Sequence, residues 1–181
     1  MRRRAFTGLL ATALASAACG VLAAGVSEYQ VKAVFLFNFS QFVSWPPAAF
    51  GRGDSPLVIA VLGHDPFGPD LDAVVNGEHV GERPLMVRRY RDVSEIKDCH
   101  ILFIDRSEAR QLPAIVQALR GRSILTVSDI EDATRSGVMI DLIKDSDRIR
   151  LRINVAATRE GGLTLSSKLL RPAQIVGPQE G

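Results

Sequence analysis

Three histidines, His64, His79 and His100, and the internal cysteine Cys99 are the side chains of this 181-residue sequence best suited to metal binding or nucleophilic chemistry. None of the histidines has a second ligand at metal-site spacing, and Cys99 has no nearby thiol to complete a zinc or redox pair. Asp65 and Asp70 flank a turn, where carboxylates ordinarily cap backbone N–H groups and meet solvent rather than trade protons. The sequence holds no phosphate-cradling GxxxxGK[ST], no GxGxxG after a strand, no HExxH and no GxSxG. We therefore expect no catalytic residue, no metal and no cofactor, although a site assembled from distant segments would leave no local mark.

Binding chemistry has more candidates. Gly63-His64-Asp65-Pro66-Phe67-Gly68 follows the aliphatic run Leu57–Leu62, and ligands of parallel sheets gather beyond the carboxyl ends of strands. His64, Asp65 and Phe67 are thus a candidate ligand pocket, with ordinary turn and capping chemistry as the competing reading. Asp105-Arg106 and Ser128-Asp129 should lie at other strand ends. Two basic sets, Arg88/Arg89/Arg91 and the alternating Arg148/Arg150/Arg152, could receive an anion or an acidic partner, or could simply solvate a sheet edge. The aromatic-rich segment around residues 31–45 offers Phe35, Asn38, Phe39, Phe42 and Trp45 as partner-binding anchors. The same stripe could instead be core, and Asn38 a hydrogen-bonded amide at its edge.

These residues need elements to position them. Residues 28–43 place Val31, Val34, Phe35, Phe39 and Phe42 at helical spacing, and Leu36 and Phe37 widen the stripe, so this helix must be covered on several sides. Trp45-Pro46-Pro47 ends it. Leu57–Leu62 reads as a strand buried on both faces, followed by a helix over 68–76 and a second strand over 85–90. A turn over 80–84 and a short helix near 92–97 flank that second strand. Further strands are expected over 99–105 and 123–127, with helices over 107–119 and 129–135 after them. Residues 137–143 and 148–155, joined by the polar turn 144–147, form an antiparallel hairpin, and 163–174 reads as a closing helix. Strands alternating with helices predict a single three-layer α/β domain with a mainly parallel sheet, an antiparallel C-terminal hairpin and helices on both faces.

The first residues look like an address. Arg2-Arg3-Arg4, an apolar run from Phe6 to Ala18 and small residues up to Gly25 have the form of a secretory signal peptide, assigned to 1–24, with the mature domain over 25–181. Cleavage before a lipidated Cys19, which would anchor the exported domain, is the alternative reading of this segment. The chain carries 22 Lys+Arg against 20 Asp+Glu. Removal of the three leading arginines leaves 22 − 3 = 19 basic against 20 acidic residues, too even a balance for attraction to nucleic acid. Cys99 would then have no intramolecular disulfide partner, and its place before Ile101-Leu102-Phe103-Ile104 suggests a buried, inert thiol.

Taken in order, Tyr29 to Phe39 with Trp45-Pro46, Val61 to Gly68, Cys99 to Ile104, Leu125 to Asp129, Gly137 to Ile140, Arg152-Ile153-Asn154 and Ser166 to Leu170 resemble the YfiR family (DUF4154) over nearly all of the mature chain. The resemblance implies a small periplasmic α/β protein, often a homodimer, without catalytic activity. It implies a partner too: the periplasmic part of an inner-membrane diguanylate cyclase, which such a protein represses, lowering cyclic di-GMP and restraining biofilm. A small-ligand module feeding a sensor kinase or other receptor is the alternative. Two departures stand out. The family's disulfides have no counterpart beside Cys99, and Ser136-Gly137-Val138 stands where two glycines usually precede the Met-Ile pair.

Overall fold

Leu57–Leu62 is buried at every position, as a strand sandwiched between two helical layers must be. The computed structural model describes residues 25–51 and 54–176, so the expected signal segment 1–24, Cys19 included, lies outside the described residues. In chain order the elements are α1 (Glu28–Phe42), β1 (Val43–Ser44), β2 (Leu57–Leu62), α2 (Pro69–Val75), β3 (His79–Val80), β4 (Arg83–Tyr90), β5 (Ile101–Ile104), α3 (Leu112–Leu119), β6 (Leu125–Ser128), β7 (Ile140–Asp145), β8 (Arg148–Asn154), α4 (Val155–Glu160), β9 (Thr164–Leu165), α5 (Ser167–Leu170) and β10 (Gln174–Val176). Short 3-10 turns intervene at Pro47–Ala49, Val93–Glu95, Arg106–Glu108 and Ala133–Ser136.

The main sheet has eight strands in the order β10-β8-β7-β6-β5-β2-β4-β3. The pairs β2–β4, β2–β5, β5–β6, β6–β7 and β8–β10 are parallel, while β7–β8 and β3–β4 are antiparallel. A small second sheet pairs β1 with β9, Val43 opposite Leu165. One face carries Ile59, Val61, Ile101, Phe103, Leu125 and Val127 against Leu36 and Phe39 of α1, Leu71 and Val75 of α2 and Leu169 of α5. The other carries Ala60, Leu62, Leu102 and Ile104 against Leu112, Ile115 and Leu119 of α3, closed by Ala133 and Val138. Each fully buried large side chain such as Phe103 contributes about 1.5–3 kcal/mol through removal from water. The three-layer α/β architecture and its hairpin are as the sequence implies.

Three sequence expectations change in detail. Residues 163–174 do not form a helix: Pro172 cannot continue α5, which ends after four residues, and the chain then adds β10 alongside β8. The helix expected from 107 begins only at Leu112, because Pro113 fits the first turn of a helix and no later position. The turn over 80–84 and the strand after it form a β3–β4 hairpin whose reversal uses Gly81 at φ +60°. Where the resemblance leads one to expect two glycines, Gly137 alone supplies the left-handed residue, φ +97°, that ends the turn Ala133–Ser136, and Val138 is buried.

Candidate functional site

Helix α1 starts with a capping box: the Ser27 hydroxyl accepts from the Gln30 amide at 3.1 Å, and the Gln30 side chain accepts from the Ser27 amide at 2.9 Å. Its buried positions are Lys32, Ala33, Leu36, Phe39 and Ser40. The inward face is therefore turned from the expected stripe, and Val34, assigned to that stripe, is 46% exposed. Among the candidate partner anchors, Phe39 is completely buried and belongs to the core, a correction to its reading as a contact residue. Phe35, Asn38, Phe42 and Trp45 are half-buried along the flanks. Val34, Asn38 and Gln41, spaced four and three residues apart, share the outward side.

The apolar pattern gives no warning of Lys32. Its ammonium, with no exposed side-chain surface, pairs with Asp129 Oδ2 at 2.5 Å and with Glu28 one turn earlier. Asp129 Oδ2 also accepts from the Tyr29 hydroxyl at 3.0 Å and lies 3.3 Å from Arg106 Nη2. Lys144 of β7 reaches the other Glu28 oxygen at 3.1 Å. Burial and the adjacent Asp129 charge push the Tyr29 hydroxyl up to about 12. Burial opposes ionisation of Glu28, yet the hydrogen bonds from Lys32 and Lys144 outweigh it and hold the carboxyl below its ordinary value. This cluster sits where β5 and β6 end, and it clamps the first turn of α1 to the sheet. Asp129 Oδ1 and, on β7, Asp141 Oδ1 are buried without a hydrogen-bond partner among the described residues. Burial raises Asp141 despite the hydroxyl of Thr134, which donates to its Oδ2 at 2.9 Å.

The candidate pocket residues go separate ways. His64 is exposed, whereas Asp65 Oδ1 accepts from the Phe67 amide at 2.8 Å and its Oδ2 from Arg89 Nε at 2.6 Å. Phe67 is buried edge-on to Tyr29 and Phe103, with ring centroids 5.6 and 4.8 Å away. Its ring fills the core between α1 and the sheet, so it does not line an open pocket with His64. The chain leaves β2 toward β4 on one side and later returns to β5 on the other, which makes the carboxyl ends of β2 and β5 the usual ligand crevice. Here the crevice is occupied by protein. Ser107 Oγ accepts from the His64 amide at 3.0 Å, directly above Gly63.

At the other end of α1, Trp45 Nε1 donates to the His100 carbonyl at 3.2 Å. The His100 ring stacks on Phe50 at 4.5 Å and accepts from the Val58 amide at Nδ1, which leaves Nε2 to donate to the Ala49 carbonyl at 3.2 Å. Burial holds this imidazole below its ordinary value. Cys99 is buried, and burial pushes its thiol up to about 12, an unreactive state. Three of the six arginines in the candidate patches are taken up in ion pairs: Arg89 with Asp65 and Asp72, Arg150 with Asp145, and Arg152 with Asp132. Among the described residues no group of three His, Cys, Asp or Glu side chains could hold a metal, and no helix is long and apolar enough to cross a membrane.

The arrangement offers clamps and surfaces rather than an ordered set of nucleophile, base and oxyanion donors. Compared with known protein families, residues 29–174 match the model described as YfiR/HmsC-like (DUF4154). No curated protein matches the sequence.

Proposed function

The chain belongs to the YfiR/HmsC-like family, and on that membership we propose that it is a non-catalytic periplasmic regulator. It binds the periplasmic part of an inner-membrane diguanylate cyclase and represses it, so that cyclic di-GMP falls while the complex persists. The observation that carries this reading is the match over residues 29–174, from α1 to the start of β10. A homodimer is the form in which we expect it to act.

Such repression asks little of the regulator chemically. A surface that binds one receptor conformation better by about 3 kcal/mol shifts the receptor's equilibrium more than a hundredfold. The outward side of α1 suits that role, because Val34 is exposed, with Asn38 and the half-buried Phe35, Phe42 and Trp45 beside it. The clamp at Lys32 and the Trp45–His100 contact hold both ends of this helix on the sheet, so the surface is preformed.

The test is recovery of the partner. Full-length protein tagged at its C-terminus is expressed in its own host, and mildly solubilised membranes are analysed by mass spectrometry for what co-purifies. A membrane protein with a periplasmic segment and a cyclase domain is expected, together with a rise in cyclic di-GMP on deletion of the regulator. Recovery of a sensor kinase would move the regulator to another pathway. Recovery of the protein alone, with unchanged cyclic di-GMP, would overturn the reading.

A further inference from the structure

At the end of the sheet away from the Lys32 cluster, the amino ends of β2, β5 and β6 frame a cavity of about 470 Å³. Its walls include Ala49 and Pro56 before β2, Lys97 and His100 before β5, Arg122 before β6, and Arg88 from β4. On this face α3 and the turn Ala133–Ser136 cover the sheet, while Met86 and Arg88 of β4 remain exposed. The space arises because the helical layer does not extend that far.

The charge around it is one-sided. Among the described residues Arg88, Lys97 and Arg122 line the cavity against a single carboxylate, Asp98. None of the three cations forms an ion pair among the described residues, whereas Lys32, Arg89, Arg106 and Arg152 each do. Arg122 is also held in place: its Nη2 donates to the Ile96 carbonyl at 3.0 Å and to the Lys97 carbonyl at 2.9 Å. Those bonds fix the guanidinium plane and leave Nε and Nη1 without a protein acceptor among the described residues. A guanidinium fixed in place with Nε and Nη1 still available to donate, a second arginine and a lysine around a partly apolar hollow are elements that attract a carboxylate or phosphate. Both ring nitrogens of His100 are committed to backbone groups, so the imidazole forms wall rather than ligand.

We propose that this cavity binds a small organic anion, its carboxylate or phosphate head against Arg88, Lys97 and Arg122 and a short apolar body against Ala49 and Pro56. The site does not depend on the identity of the membrane partner, and its test needs none. Purified exported protein is titrated with phenyl phosphate, with benzoate and with uncharged benzyl alcohol, and backbone resonances of Lys97, Gly121 and Arg122 are followed by NMR. Saturable shifts with an anion and none with the alcohol are expected, weakening as salt is raised. Phenyl phosphate acting alone identifies a phosphate ligand; benzoate acting alone identifies a carboxylate. Arg88→Gln combined with Lys97→Gln changes two exposed side chains and should weaken the anion about tenfold or more without lowering Tm. Arg122→Lys keeps the charge but loses the fixed planar donors, and should weaken whichever anion binds. No saturable shift with either anion at millimolar concentrations, or equal affinity in the Arg88/Lys97 variant, would overturn the proposal.

Discussion

Lys32 and Asp129 stand 97 positions apart in the chain, and their side chains meet at 2.5 Å with no exposed surface on either. The pair joins the second turn of α1 to the residue just after β6. Because both charges are removed from water, each depends on the other far more than an exposed pair would. Lys32→Met alone should cost about 3 kcal/mol of stability, since it leaves Asp129 buried against only Tyr29 and Arg106. Lys32→Met combined with Asp129→Leu should recover most of that loss. A double-mutant cycle by urea unfolding checks it, and additive losses would mean that the two residues act separately.

Gly63 gives a sharper local test. Its φ of +90° already excludes ordinary side chains, and a Cβ there would stand 2.6 Å from Ser107 Oγ and 2.8 Å from Glu108 Oε1. Gly77 has a similar φ of +77° but open space around the added atom. Gly77→Ala should therefore cost about 1 kcal/mol of backbone strain, and Gly63→Ala about 2 kcal/mol or more. Equal losses in thermal unfolding would show that the crevice between β2 and β5 can open to accept a group, contrary to the close fit of Ser107.

The His100 contacts set a pH dependence whose sign is fixed. Burial lowers its folded-state value below the ordinary 6.5, with Arg83 opposing protonation and the Ala49 carbonyl and Asp98 favouring it. The unfolded chain therefore takes up the proton first as pH falls. Stability should be full above about 6.5 and decline below it, down to the folded-state value, where the decline levels off. Protonation also places a hydrogen on Nδ1 facing the Val58 amide, which destroys that bond. Tm measured from pH 7.5 to 5 in the native protein and in His100→Gln should show a steeper fall in the native protein. Parallel profiles would assign the acid sensitivity to other groups.

Much of this fold is legible from pattern. The uninterrupted aliphatic runs at Leu57 and Ile101 can hardly be anything but covered strands, and the polar alternation of Arg148 to Asn154 marks the hairpin. The C-terminal segment misleads because Leu165 and Leu169 are four apart and Leu163 and Leu170 seven apart, as on a helix. Thr164–Leu165 instead pairs with β1, and Pro172 stops the chain from continuing α5, so only Ser167–Leu170 is helical. Lys32 misleads in a different way. A lysine among apolar residues is ordinarily placed outward, and nothing near it in sequence identifies Asp129 as the partner that lets it face inward. The i, i+4 spacing of Glu28 and Lys32 is a local hint, but such pairs usually sit in water. The cationic cavity is equally hidden, since Arg88, Lys97 and Arg122 converge only once β4, β5 and β6 share a sheet.

Because the Lys32 contacts turn α1 about its axis, they also decide which of its residues a partner can reach. Val34 and Asn38 lie on the outward side, whereas Phe39 is fully buried. Val34→Glu with Asn38→Arg should cost about 1 kcal/mol or less of stability, because Val34 is exposed and Asn38 only half-buried. On the proposed function it should nonetheless release the membrane partner and raise cyclic di-GMP to the level of the deletion strain. Phe39→Ala should instead cost about 3–5 kcal/mol through the cavity it leaves, and lose repression only by depleting folded protein. Tm and protein abundance measured beside cyclic di-GMP separate the two cases. A folded Val34/Asn38 variant that still represses fully would place the partner on another face of the molecule, while the clamp would keep its structural role in holding α1.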